Sequence, residues 1–302
     1  MRLYIQSAAL RGILWMVLCT GFQACASGLV RKLSFDFGIF ELLLFFSTIS
    51  AMMLIPMAMK LPRGSLVAAR PYAGLFVMRG VLSFVGMLTS FYAYSVLDIA
   101  NVQSLLFTIP IFTILLASWI LREYVGFRGW VSCAVGFAGA LIIIRPGFVA
   151  LNPGMLAALI SALAFAAANI VIRKLGATQS PVLITLASNA VIIPLAAFPA
   201  AYSWVTPELH HVPWILAMGA LFMLAQLCLT YSIREADARI VQSFNFLRLP
   251  WAVLIGWMLF SELPDFWTWI GAMVIFAGAY DVLRREAGKR SRSPNPLPNT
   301  GV

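Results

Sequence analysis

The chain has 302 residues, 62% of them hydrophobic and 11% charged, with a net charge of +10. A soluble domain runs nearer half apolar and a quarter charged, so these proportions exclude a single water-facing core and call for an outer surface that is itself apolar. The basic balance does not point to nucleic acid, because the Lys and Arg residues are scattered between apolar runs rather than gathered on a polar domain.

A helix needs about 20 apolar residues to cross the hydrocarbon core of a bilayer. Ten such runs follow in chain order, at 12–30, 39–59, 73–94, 100–121, 128–144, 153–172, 182–200, 212–232, 239–260 and 265–283. They are apolar on every face, whereas a barrel strand alternates over about ten residues. The expected fold class is therefore an all-α integral membrane protein with ten transmembrane helices. The first run follows Arg2 and Arg11 and ends near Ala24-Cys25-Ala26, a pattern seen in secretory signals. With many apolar spans behind it, it reads as an uncleaved first helix. The last stretch, 286–302, is polar and Pro-rich and is expected to be a disordered cytoplasmic tail.

Cytoplasmic loops of membrane proteins carry an excess of Lys and Arg. With ten spans both termini share one side. Sixteen Lys and Arg residues then fall on that side and three, Arg31, Lys32 and Arg145, on the other. This places both termini in the cytoplasm of a bacterial-type inner membrane. Cys19, Cys25, Cys133 and Cys228 all lie in apolar runs without metal-ligand spacing, and read as small buried hydrophobes. Neither a metal nor a cofactor is expected.

The two halves repeat. Arg31-Lys32-Leu33 recurs as Arg173-Lys174-Leu175. An offset of 139 residues then places Gly80 on Gly219, Tyr92 on Tyr231, Asp98 on Asp237, Val102-Gln103-Ser104 on Val241-Gln242-Ser243, and Glu123 on Glu262. Pro110 meets Pro250 after a one-residue slip. The expected domains are a first five-helix repeat over 1–147 and a second over 148–285. An odd number of helices per unit makes the second copy enter the membrane from the opposite side. Inverted repeats of this kind build many secondary transporters.

A charge at the bilayer centre costs roughly 2.5–3.5 kcal/mol on insertion scales, so it persists where it faces water, a partner or a substrate. Arg248 lies inside the ninth span, with Gln242, Ser243 and Asn245 up to two turns before it. Spacing by three places Gln242, Asn245 and Arg248 on one face. Span four carries a partner stripe, Asn101, Gln103, Ser104 and Thr108, before Pro110. Pro110 and Pro250 interrupt matching helices, which marks a transport site and offers hinges for gating. Asn169 and Tyr94 complete the candidate substrate-binding set. Arg248 suits a carboxylate or phosphate through its planar fork. The bland alternative for Arg248 is a helix–helix ion pair or a side chain reaching for the interface. Arg79 sits near the start of span three and reads equally as an interface marker. Glu41 is either a proton carrier or, the simpler reading, a solvated helix start.

The stretch FYAYSVLDIANVQSLLFTIPIF (Phe91–Phe112), with Glu123, Trp130 and GFAGALIIIRPG (Gly136–Gly147), resembles the drug/metabolite transporter superfamily, and within it the EamA-type transporters. The resemblance runs from Gly12 to Leu283. Two places depart from the family pattern: its Gly-Glu pair stands here as Arg122-Glu123 and Ser261-Glu262, and Phe46 stands where relatives with Phe-Glu opening span two carry an Arg. The resemblance implies export or exchange of a small polar metabolite such as an amino acid, by alternating access. Import of a vitamin or of S-adenosylmethionine, or passive uniport, is the alternative. Expected partners are a small-molecule substrate and the lipid bilayer, with no nucleic acid. Protons are a candidate coupling ion, and a monomer and a homodimer are both open.

Readings from other classes find less support. The HExxH, GxSxG and GxxxxGK[ST] motifs are absent, and the two His residues, His210 and His211, are adjacent in a short loop. No enzyme activity is expected. A receptor or membrane scaffold would be expected to carry larger loops.

Overall fold

A computed structural model of the protein describes residues 2–61, 69–120, 127–145, 152–175, 179–235 and 247–277. Every regular element among these residues is helical. In chain order they are α1 (Arg2–Leu33), α2 (Ile39–Ala58), α3 (Ala73–Val96, entered through a 3-10 turn at Arg70–Tyr72), α4 (Ile99–Leu106), α5 (Ile109–Ile120), α6 (Phe127–Ile144), α7 (Pro153–Leu175), α8 (Pro181–Ala200), α9 (Val212–Glu235) and α10 (Arg248–Phe260), with a further apolar helix α11 (Phe266–Ala277). Six segments are long and apolar enough to cross a membrane: Arg11–Leu33, Ile39–Ala58, Arg70–Val96, Ile99–Ile120, Pro153–Ile172 and Val182–Ala200. Shorter apolar helices lie at Ala134–Ile144, Val212–Cys228, Arg248–Phe260 and Phe266–Ala277. The expected tail, 286–302, lies outside the described residues.

Local chemistry sets the helix ends. Ser180 accepts the Leu183 N–H at 3.2 Å, and Pro181 occupies the first helical position of α8, where no N–H is needed. Between α4 and α5 the chain leaves the helix at Phe107-Thr108. Pro110 has no N–H to return to the Leu106 carbonyl, and the Thr108 hydroxyl donates to the Leu105 carbonyl at 2.7 Å. Span four is thus interrupted, as its sequence predicts. Pro250 sits in the first turn of α10, where it costs no hydrogen bond. Residues 239–246 of the expected ninth span lie outside the described residues.

The bundle interleaves early and late helices. α1 packs on α9, α3 on α7, and α2 on α8; α1 also meets α10, and α5 meets α7. Two glycines at matching repeat positions make close approaches. A Cβ on Gly80 of α3 would stand 2.5 Å from Val191 of α8, and one on Gly219 of α9 would stand 2.5 Å from Ile49 of α2. Hydroxyls tie two other helix pairs: Ser161 of α7 donates to the Gly86 carbonyl of α3 at 2.7 Å and Ser232 of α9 to the Gly12 carbonyl of α1 at 2.6 Å. The outward faces are apolar, with Leu14, Met52, Val81, Leu156, Phe198 and Trp257 exposed. In water such a surface would drive aggregation; against lipid it is the solvent-matched face.

Glu41 is neither a solvated helix start nor part of the central cavity. It is fully buried. Its Oε2 accepts the Gly38 N–H at 2.8 Å and its Oε1 accepts the Val205 N–H. The carboxylate therefore closes the first turn of α2 and pins the segment between α8 and α9.

Because neighbours crowd both glycines, Gly80→Leu and Gly219→Leu are each expected to cost roughly 1–3 kcal/mol of overpacking. Midpoints of thermal unfolding in detergent check this; unchanged midpoints in both variants would show that the helices part freely.

Candidate functional site

A cavity of about 520 Å³ runs through the bundle, within the range that holds small organic ligands. Nearly every long helix contributes a wall. α1 brings Met16, Cys19, Gln23 and Ser27; α3 brings Arg79, Ser83, Ser90, Phe91 and Tyr94; α4 brings Gln103; α7 brings Phe165 and Asn169; α9 brings Phe222 and Gln226; α10 brings Arg248. α2 and α8 also line it, through Phe46 and Ser50 and through Thr185, Ser188 and Asn189. The α8 and α2 contributions meet where Asn189 Nδ2 donates to Ser50 Oγ at 3.1 Å.

One end of the cavity is closed by a polar triad above an aromatic layer. Gln103 Nε2 donates to Tyr94 Oη at 2.8 Å and to Ser27 Oγ at 3.4 Å. Ser27 donates in turn to the Gln23 carbonyl at 2.9 Å. Phe91 and Phe222 lie 6.1 Å apart and within 20° of parallel, and Phe46 meets Phe222 edge-on at 5.0 Å. Arg248 donates to Gln23 Oε1, and its Nε is buried without a partner.

Arg248, Gln103, Tyr94 and Asn169 therefore converge on one space, although they stand on four different helices. Three other sequence candidates do not. Ser104 donates to the Ala100 carbonyl at 2.8 Å within α4, and Thr108 in the turn that follows donates back to the Leu105 carbonyl, so each is satisfied locally. Asn101 accepts the Thr268 hydroxyl at 2.6 Å and donates to Asp98 at 3.3 Å, at the end of the bundle. Asn101, Gln103 and Ser104 lie within one helical turn, where neighbouring positions point in different directions, so the stripe could not share one face. Gln242, Ser243 and Asn245 lie outside the described residues. Pro110 stands at the α4–α5 break and Pro250 at the start of α10.

Just beyond the triad lies a cluster that the sequence marked only as loop charges. Arg31, in the last turn of α1, donates to the Leu97 carbonyl, pairs with Glu262 and stands 3.9 Å from Asp98. Its guanidinium also covers the Phe260 ring at 5.2 Å. Beside it Arg145 pairs with Asp265, which accepts from Thr268. Arg145 and Ser261 are the two non-glycine residues with positive φ among those described, at 47° and 55°. A left-handed residue of this kind costs about 1–2 kcal/mol. At Ser261 it turns the chain so that the Glu262 N–H caps the Gly256 carbonyl while its carboxylate turns back to Arg31. The available signal was the matched acidic pair, Glu123 and Glu262, in the two halves. No group of three His, Cys, Asp or Glu among the described residues is placed to hold a metal.

Comparison with known proteins follows this geometry. The EamA-like transporter family model matches residues 10–145 and again 152–284. The chain belongs to the EamA-like transporter family. It is a multi-pass membrane transporter, and the relatives found are transporters rather than enzymes. It is 27% identical over 282 residues to an S-adenosylmethionine uptake transporter of Rickettsia bellii, covering 93% of this chain and 96% of that one. It is 31% identical over 236 residues to a riboflavin transporter of Rhizobium johnstonii, covering 78% of each. A crystal structure at 17% identity shares the fold with a TM-score of 0.61, over 95% of this chain and 99% of the other.

Burial raises the pKa of Glu262, an effect that the Arg31 charge opposes. The folded protein therefore holds this proton better than the unfolded chain does. The Glu262 contribution to stability is greatest below its ordinary pKa of about 4.3 and is lost as pH rises through the folded value. Glu262→Gln is expected to remove this part of the pH dependence, seen as a flatter plot of unfolding midpoint against pH. An unchanged plot would mean that Glu262 does not titrate differently on folding.

Proposed function

We propose that the protein is a secondary transporter that moves a small polar organic metabolite through the central cavity by alternating access. The observation that carries this reading is the cavity itself: a polar, aromatic-walled space enclosed by apolar helices from both halves of the chain. The fold is read as ten spans in two inverted five-helix repeats. Two matches to one family model support this, as does the exchange of packing partners between halves: α1 on α9 answers α7 on α3, and Gly80 against Val191 answers Gly219 against Ile49. Both termini are read as cytoplasmic from the Lys and Arg bias.

In this reading the Arg31 cluster is the outer gate. Ser27 lies one turn before Arg31 on α1, and Tyr94 one turn before Asp98, so the cavity lining stops directly beneath the ion pairs. A solute passing outward or inward must part them. The break at Pro110 and the helix start at Pro250 would let the flanking helices tilt as they do. Protonation of Glu262 would release Arg31, which gives protons a route into the cycle.

Export or exchange of an amino acid is the reading from resemblance. Import receives support from the uptake transporter among the relatives, so S-adenosylmethionine and riboflavin are the first substrates to test. Purified protein in liposomes is expected to take up one of them saturably, and a pH gradient to change the rate if protons are coupled. Absence of uptake for these and for a panel of amino acids would overturn the reading. The gate has its own check. In a variant retaining Cys19 as its single cysteine, Arg31→Ala is expected to speed labelling by a membrane-impermeant thiol reagent added from the Arg31 side. Equal labelling rates would remove Arg31 from the gate.

A further inference from the structure

Among the described residues, those lining the cavity include two arginines, Arg79 and Arg248, and no Asp, Glu, Lys or His. The Arg79 guanidinium makes no ion pair or hydrogen bond among the described residues, and its Nε is buried without a partner. Arg248 meets one neutral acceptor, Gln23 Oε1, and its Nε is likewise buried and unpaired. Every carboxylate that pairs with an arginine in the described residues belongs to the end cluster, on Arg31 and Arg145. Two half-buried cations without counter-charge among the described residues are costly in an apolar bundle. A solute supplying negative charge would offset that cost while it is bound.

The two arginines stand at different depths. Arg248 reaches Gln23, one turn from Ser27, and so lies at the Tyr94–Gln103 end of the cavity. Arg79 is fifteen residues before Tyr94 on the same helix, about 22 Å along its axis. Between them Ser83, Met87, Ser90 and Phe91 line the α3 wall, where Phe91 stacks near-parallel on Phe222 of α9 at 6.1 Å.

We propose that the cavity is an oxyanion-selective passage, with Arg248 as the binding station for a carboxylate or phosphate and Arg79 as a cationic lure nearer the opposite mouth. The bound solute carries this group on a flat ring or ring-bearing scaffold, which rests against Phe91 and Phe222. Arginine suits the role because its planar fork gives two parallel donors to either oxyanion, and because it stays charged where a lysine would shed its proton more readily. A net cation finds no carboxylate among the described lining residues and is disfavoured. This inference rests on the transporter reading and narrows it.

The test uses matched pairs that differ in charge: nicotinate against nicotinamide, and adenosine 5′-monophosphate against adenosine. Binding to the purified full-length protein is read from the unfolding midpoint and from tryptophan fluorescence. The anionic member of at least one pair is expected to bind more tightly, and which pair responds tells a carboxylate site from a phosphate site. Arg248→Gln should weaken that anion roughly tenfold or more and erase the difference within the pair, while Arg248→Lys keeps part of the preference because it keeps the charge. Arg79→Gln should slow uptake of the anion into liposomes more than uptake of its neutral partner, an effect that fades as salt rises. Equal or tighter binding of the neutral partners, or binding of neither anion, overturns the proposal. Saturable uptake of a neutral or cationic solute, with no preference for anions, would sink it while leaving the transporter reading standing.

Discussion

A charge that leaves water for the interior of an apolar bundle must find an opposite charge, a set of hydrogen-bond partners, or a solute that supplies them. Four arginines of the described residues show two of these solutions. At one end, Arg31 and Arg145 meet Glu262, Asp98 and Asp265 and are neutralised by the protein itself. In the cavity, Arg79 and Arg248 meet no acid among the described residues. The contrast separates arginines that the protein itself pairs from arginines that it does not.

The two parts are mechanically connected. α1 carries Arg31 in its last turn and Ser27, Gln23 and Cys19 along the cavity wall. α3 ends at the Leu97 carbonyl that Arg31 grips, and one turn earlier it places Tyr94 against Gln103. A tilt of either helix that opens the end cluster also moves the triad above the cavity. The left-handed backbone at Arg145 and Ser261 stores strain at this end, beside the ion pairs that Arg31 and Arg145 make.

Glu41 shows how a buried acid can be wholly structural. Both of its oxygens accept backbone N–H groups, one from its own helix start and one from the segment before α9. Glu262, by contrast, carries an Oε2 that is buried without a partner, although its other oxygen pairs with Arg31. A carboxylate half-satisfied in this way is sensitive to protonation, and this distinguishes the two acids that the sequence presents as similar loop-proximal residues.

The sequence by itself determined that this is a helical membrane protein, because 62% apolar content leaves no other solvent for its surface. It located the apolar runs, the break at Pro110 and the repetition of the two halves, since each of these is a matter of composition or spacing along the chain. It also singled out Arg248, because a charge inside an apolar run is conspicuous in one dimension. Only the tertiary structure decided which polar side chains share a space. Gln103 and Asn101 stand two residues apart, yet one lines the cavity and the other joins the end cluster. Arg31 looked like a topology marker, and its role became visible only when α1, the α3–α4 corner and the α10–α11 corner came within reach of one guanidinium. Contacts between residues up to 231 positions apart leave no periodic trace in the sequence, because it is the packing of whole helices, and not the local chain, that brings their side chains together.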